Sequence, residues 1–209
     1  MTHGDDNGLI LPPKVAPYQV VIVPIPKGNW QETVLPKCRE VADALRAAGI
    51  RVMLDDRDEY TPGWKYAEWE MRGVPLRLEV GPRDLQHNQV FSSRRDVKAK
   101  APLPIDGLPE AVRGVLDTIQ RSLLDRARTY REEHTTRAET YDEFKAAMDG
   151  RPGFVVVPWA HDAALEAQVK AETQATLRNV PFSEPKPEGK RSMLSGKPAE
   201  VYAYFAKAY

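Results

Sequence analysis

Val20-Val21-Ile22-Val23 is an unbroken β-branched run with no polar alternation, the pattern of a strand buried on both faces in a sheet that helices cover. Just downstream the period changes. Val34, Cys38, Val41, Ala42, Leu45 and Ala48 recur at helical spacing, which predicts one apolar helix face, with Pro36 tolerated in the first turn and Gly49 as the C-terminal stop. Ile50 to Leu54 then supplies a second strand. Strand, helix and strand in that order form a βαβ unit, whose crossover is right-handed and whose two strands run parallel.

Past the acidic stretch Asp55 to Glu59, Thr61-Pro62-Gly63 reads as a turn into a short helix, Trp64 to Arg72, closed by Gly73. Val74 to Val80 alternates Val74, Leu76, Leu78 and Val80 with Pro75, Arg77 and Glu79, a strand with one wetted face. Gln89 to Asp96 is its expected partner. Leu108, Val112, Val115, Leu116, Ile119 and Leu123 form the stripe of a long helix, so residues 18 to about 130 make one α/β layer domain. The remainder carries apolar residues for its own core. It reads as helix Tyr141 to Met148, strand Phe154 to Pro158, helix Asp162 to Glu172, strand Thr176 to Phe182 and a loop from Ser183 to Lys197. The polar, poorly periodic stretch Arg131 to Glu139 marks the boundary, and there is no internal repeat.

Thirty Lys and Arg balance thirty Asp and Glu, which excludes a histone-like basic protein and confines any nucleic-acid surface to a local patch. One such patch exists. Arg72, Arg77, Arg83, Arg94, Arg95, Lys98 and Lys100 outnumber Glu79, Asp84 and Asp96 between positions 72 and 100, as a phosphate-tracking surface requires. A single cysteine, Cys38, excludes an internal disulfide and any multi-cysteine metal site; on an apolar helix face it reads as a buried hydrophobe. Tyr18 to Ile25, the longest apolar run, is far short of a membrane span. Thr2-His3-Gly4-Asp5-Asp6 is polar and acidic where a signal peptide is basic and then apolar. A cytoplasmic setting without membrane attachment is expected. Pro26-Lys27-Gly28-Asn29, after the first strand, is no Gly-rich phosphate loop, which weakens the reading as a small nucleotide-binding enzyme.

The segment Pro62 to Leu85, PGWKYAEWEMRGVPLRLEVGPRDL, resembles the anticodon-binding domain of archaeal/eukaryotic-type prolyl-tRNA synthetases, class II enzymes. Gly8-Leu9-Ile10-Leu11-Pro12-Pro13, Gln19 to Ile25 and the final Phe205 to Tyr209 extend the similarity over nearly the whole chain. The resemblance implies an anticodon-binding domain with a mixed sheet flanked by helices, then a small α+β C-terminal domain. It divides the chain into residues 1–17, a remnant of the catalytic domain at the end of its third motif, 18–130, the anticodon-binding domain, and 131–209, the C-terminal domain. The ATP- and Mg-binding catalytic sheet has no counterpart here, so this chain alone is expected not to attach proline to tRNA. His3, Asp5 and Asp6 are expected as an orphaned, solvated terminus. Tyr209 matches a C-terminal tyrosine that relatives direct toward the catalytic domain. Leu9 to Pro17 and Tyr202 to Phe205 are expected to expose apolar surface that the catalytic domain would cover.

Proline anticodons present two adjacent guanines, whose Watson–Crick edges donate N1-H and N2-H and whose O6 and N7 accept. A carboxylate and guanidinium groups suit those edges, and RNA loops are read by stacking and edge hydrogen bonds. Tyr66 and Glu70, four apart, share one helix face, while Arg77 projects from the wetted strand face and Arg83 follows its end. The resemblance assigns Tyr66 as a stacking platform, Glu70 as the guanine-edge acceptor, and Arg77 and Arg83 as donors to guanine or phosphate. Arg94, Arg95 and Lys98 are the expected phosphate contacts. Trp64 and Trp69 are expected as core or interface aromatics.

Many relatives hold a structural zinc with four cysteines, and those positions here read Ala160, Leu165, Ser192 and Ser195. None is a usual zinc ligand, and nearby His161 and Asp162 lack a partner cluster, so no zinc is expected. The implied partners are tRNA(Pro) and the synthetase catalytic domain, with a homodimer only in the full-length enzyme. A free-standing tRNA-binding or regulatory module derived from a synthetase is the competing reading.

Overall fold

The computed structural model describes residues 3–150 and 153–207, in two compact units that divide between Arg126 and Ala127; Tyr209 lies outside the described residues. The first unit opens with the two-stranded hairpin β1 (Gly4–Asp5) and β2 (Gly8–Leu9), followed by β3 (Val20–Pro24), α1 (Trp30–Thr33), α2 (Leu35–Ala47), β4 (Val52–Leu54) and α3 (Pro62–Met71). It continues through β5 (Leu76–Val80), α4 (Pro82–Gln86), β6 (Gln89–Arg94), β7 (Lys100–Pro104) and α5 (Leu108–Glu133), within which the division falls. Among the described residues, five strands form one sheet in the order β4-β3-β5-β6-β7. β3 pairs in parallel with β4 and β5, whereas β6 and β7 are added antiparallel.

All five residues of β3 are buried, and their alternation assigns them to two layers. Val20 and Ile22 join Cys38, Val41, Ala42 and Leu45 of α2 and the stripe Leu108, Val112, Leu116, Ile119 and Leu123 of α5 in the main core. Val21 and Val23 face the other way, onto Trp69 of α3. The β-branched run is therefore covered on both sides, as its composition requires.

β7 lies beyond the elements expected, and α5 runs past Leu123, the last residue of its apolar stripe, into the polar stretch from Arg131 expected as the boundary. Lys100-Ala101-Pro102-Leu103-Pro104 carries two prolines, which an outermost strand tolerates because it has no second partner to bond. α5 outlasts its apolar stripe because Asp125-Arg126-Ala127-Arg128 and the residues after them are mostly good helix formers with no breaker among them.

The second unit contains β8 (Thr135–Arg137), α6 (Tyr141–Asp149), β9 (Phe154–Trp159), α7 (Ala163–Thr173), β10 (Ala175–Asn179) and β11 (Val201–Lys207). Among the described residues its sheet runs β10-β11-β9-β8, with only the β8–β9 pair parallel. Phe144, Trp159 and Phe205 meet edge to face at its centre, at 5.5 and 5.3 Å between ring centroids. This corrects the expected exposure of Tyr202 to Phe205: Ala203 and Phe205 are fully buried because β11 lies between β10 and β9. Of Leu9 to Pro17, expected to expose apolar surface, Leu9 and Val15 are exposed, whereas Ile10, Pro13 and Ala16 are buried. No described helix is long and apolar enough to cross a membrane.

Candidate nucleic-acid interface

The face of the first sheet that carries Val21 and Val23 is only half covered. α3 seats Trp69 and Tyr66 over β3 and β4. Pairing register places Arg77 and Glu79 of β5, Phe91 and Ser93 of β6 and Lys100 of β7 on the same face, since directly opposed residues project together. Those three strands carry no helix on this side among the described residues. α3 begins at Thr61, whose hydroxyl accepts from the Trp64 amide, with Pro62 in the first turn. It ends at Gly73, whose φ of 73° favours glycine.

Glu79 is the hub of the open half. Its carboxylate accepts from Arg77 Nε at 3.1 Å and Nη2 at 2.9 Å, and from Lys100 Nζ at 2.9 Å. Burial alone would raise the Glu79 carboxyl, but hydrogen bonds from Lys100 and Arg77, together with their charges, hold it below its ordinary range. The Arg77 guanidinium carbon lies 3.9 Å over the Tyr66 ring, a cation–π contact that fixes both side chains. Burial first, then the Glu79 charge, pushes the Tyr66 phenol up, so it stays protonated. Arg77 Nη2 also reaches Ser93 Oγ at 3.4 Å. Of the five guanidinium donors, the pair on Nη1 has no protein acceptor among the described residues.

Next to this stack lies a cavity of about 170 Å³ with Val21, Trp69 and Val74 as its apolar floor. Glu70, Arg77, Lys98 and Lys100 contribute to its charged rim. Glu70 is partly exposed and faces Lys98 Nζ at 3.8 Å, too far for a hydrogen bond, so its carboxylate oxygens remain available as acceptors. An apolar floor, an open carboxylate and preset N–H donors suit a flat heteroaromatic base with a donor edge.

The structure brings Tyr66, Glu70, Arg77 and Lys98 together, but not every expected residue stands in the same relation to the cavity. Arg83, on α4, lines a separate groove with Lys27 and Asn29, outside the carboxyl ends of β3 and β5. Arg94 borders the cavity and is bidentate to Asp96 at 3.0 and 2.7 Å. Arg95 is buried and committed to protein acceptors. One of these, Asp5, belongs to the stretch expected to be orphaned. That expectation is corrected here, because Arg95 holds the β1–β2 hairpin against α3. Trp69 is core, whereas Trp64 is 45% exposed and stacked on Tyr60 at 3.9 Å. Sequence reading counted Lys100 and Glu79 only in the charge balance of the basic patch and missed that they meet Arg77 in the site. Alternation put Glu79 on the Arg77 face, but Lys100 lies on a strand whose prolines hid it.

In the second unit, Ala160 is buried, Leu165 packs on the core, and Ser192 is buried. Ser195 Oγ accepts from the Lys197 amide at 3.3 Å. Two aliphatic side chains and two hydroxyls do not fit zinc, which takes thiolate, imidazole or carboxylate. No group of three or more His, Cys, Asp or Glu among the described residues is placed to hold a metal.

Residues 19–114 match the family model described as anticodon binding domain, and residues 141–209 match that described as prolyl-tRNA synthetase, C-terminal. The whole chain is 46% identical over 211 residues to proline–tRNA ligase 2 of Clostridioides difficile (strain 630), covering 43% of that protein. It is 47% identical over 209 residues to proline–tRNA ligase of Lachnospira eligens, again covering all of the chain and 43% of the relative. Proline–tRNA ligase of Thermococcus kodakarensis is 43% identical over 210 residues, covering 99% of the chain and 44% of the relative. The chain thus spans less than half the length of these curated relatives.

Proposed function

Because the chain belongs to the prolyl-tRNA synthetase family, with an anticodon-binding domain followed by that family's C-terminal domain, we propose that it reads the anticodon of tRNA(Pro) as the recognition part of a proline–tRNA ligase. The observation that carries this reading is the half-open sheet face, where Glu70 presents an acceptor beside the fixed Arg77 donors over an apolar floor. Glu70 accepts N1-H and N2-H of an anticodon guanine. Arg77 contributes its Nη1 donors and the guanidinium plane on which a base stacks. Tyr66 lies beneath that plane and holds it, rather than offering the same ring face to RNA. Lys98 and Lys100 supply cations for the adjacent phosphates. Arg83, with Lys27, serves the RNA from its separate groove, while Arg94 and Arg95 act through the protein contacts that they make. In the ligase, ATP and Mg are handled by the catalytic domain, the partner of this part, and the C-terminal unit holds no zinc.

The test is binding of proline anticodon stem-loops with parent guanines or with one guanine changed. Glu70→Gln keeps the shape but replaces one acceptor oxygen by a donor, so affinity for the parent loop falls by about 1 to 3 kcal/mol and less for the changed loop. Lys98→Ala weakens all loops alike and flattens the salt dependence by about 0.7 of a unit in slope. Equal affinity of Glu70→Gln and parent for the parent loop at matched salt removes Glu70 from the site.

A further inference from the structure

One buried guanidinium joins three segments that sequence keeps far apart. Arg95 Nη1 and Nη2 donate to the Asp5 carboxylate at 3.0 and 2.6 Å, and Nη2 also to the Gly8 carbonyl at 3.2 Å. Its Nε donates to the carbonyl of Glu70 at 3.2 Å. The Arg95 side chain is 4% exposed. Hydrogen bonds from Arg95 and the Asn7 amide hold the Asp5 carboxyl well below its usual range, so Asp5 is ionised at neutral pH. The backbones are in close contact as well. A Cβ on Gly8 would come within 2.4 Å of Met71 Cα, and one on Gly73 within 2.6 Å of Leu9 Cβ. The Leu11 amide donates to Gly73 O at 3.2 Å.

The hairpin is therefore seated on the turn of α3 that carries Glu70, and the same guanidinium borders the cavity beneath it. We propose that Arg95 and Asp5 are positioning residues that couple docking of the N-terminal hairpin to base discrimination by Glu70. The inference rests on Glu70 as a base reader. The physical ground is linkage: if the docked hairpin fixes the Glu70 backbone in the base-reading position, a base held by Glu70 must stabilise docking to the same degree. A bidentate arginine–carboxylate pair suits this role because two parallel hydrogen bonds fix orientation as well as distance.

The experiment uses the full chain and two anticodon stem-loops, one with the proline anticodon guanines and one with a guanine changed to adenine. Affinities and hydrogen exchange are measured for the parent, Asp5→Asn and Arg95→Lys. In the parent, saturating guanine loop slows exchange of the Ile10 and Leu11 amides, whose acceptors are His3 O and Gly73 O. Asp5→Asn and Arg95→Lys lower affinity for the guanine loop about fivefold or more while leaving the adenine loop nearly unchanged, and that slowing disappears. A purely structural role would weaken both loops equally and leave the ratio intact. Unchanged discrimination in Asp5→Asn, a mild change at a partly exposed position, overturns the coupling even if Arg95→Lys fails to fold. Equal exchange with and without RNA in the parent also overturns it. A parent that does not discriminate the two loops overturns the base-reading role of Glu70 itself, a distinct result from a discriminating parent whose variants behave alike.

Discussion

At Glu79, burial and charge pull in opposite directions, and charge prevails because two cations reach one carboxylate. The consequence has a definite sign. A carboxyl whose folded-state pKa lies below its ordinary 4.5 contributes stability fully present above that value, and the contribution is lost as pH falls through the lowered one. In thermal melts between about pH 7 and about pH 3, Glu79→Gln is expected to be less stable than the parent at neutral pH, with the difference narrowing below about pH 4.5. A difference that stays constant to the acid end shows that Glu79 does not titrate in this way. Part of this was legible, since strand alternation placed Arg77 and Glu79 on one wetted face. That Lys100 and Tyr66 converge on the same carboxylate was not, because they come from a different strand and from a helix.

α3 delivers Tyr66 and Glu70, and its seat depends on Asp55, just after β4. The Asp55 side chain is almost fully buried; it accepts from Trp69 Nε1 at 2.7 Å and from Arg57 at 2.8 Å twice, with Lys65 Nζ at 3.7 Å. Lys65 is equally buried and donates to the Asp55 carbonyl at 3.1 Å. Asp55→Ala leaves that ammonium and the indole N–H without their carboxylate, so a loss of about 3 to 5 kcal/mol in urea unfolding is expected. A loss under about 1 kcal/mol means the pair is not the anchor. The sequence marked the helix by Thr61-Pro62 and Gly73, which are local signals. It could not mark the anchor, since Asp55 to Glu59 reads as any solvated acidic stretch. β8 and β11 were missed for a related reason: Thr135-Thr136-Arg137 is too short and polar to show a period, and Val201 to Lys207 is recognisable as a strand chiefly through its partners β9 and β10.

Each unit has its own apolar core, and the second is closed by Phe144, Trp159 and Phe205 at its centre. Ala160, Leu165, Ser192 and Ser195 offer no usual zinc ligand. Elemental analysis is expected to find no stoichiometric zinc, and a chelator should leave the melting curve unchanged; one tightly held equivalent of zinc would refute this. The sequence by itself determined the βαβ unit, the two faces of β3, the stripes of α2 and α5, the separate second core and the shared helix face of Tyr66 and Glu70. Each follows from hydrophobic period and turn chemistry, which act over a few residues. Only the tertiary structure decided that Arg83 stands in a groove apart, that Arg77 covers the Tyr66 ring, and that Arg95 binds Asp5 across 90 positions. Those outcomes depend on strand order and on where a hairpin comes to rest. No local pattern encodes them, because a buried charge is placed by the partners that compensate its lost hydration, and those partners lie elsewhere in the chain.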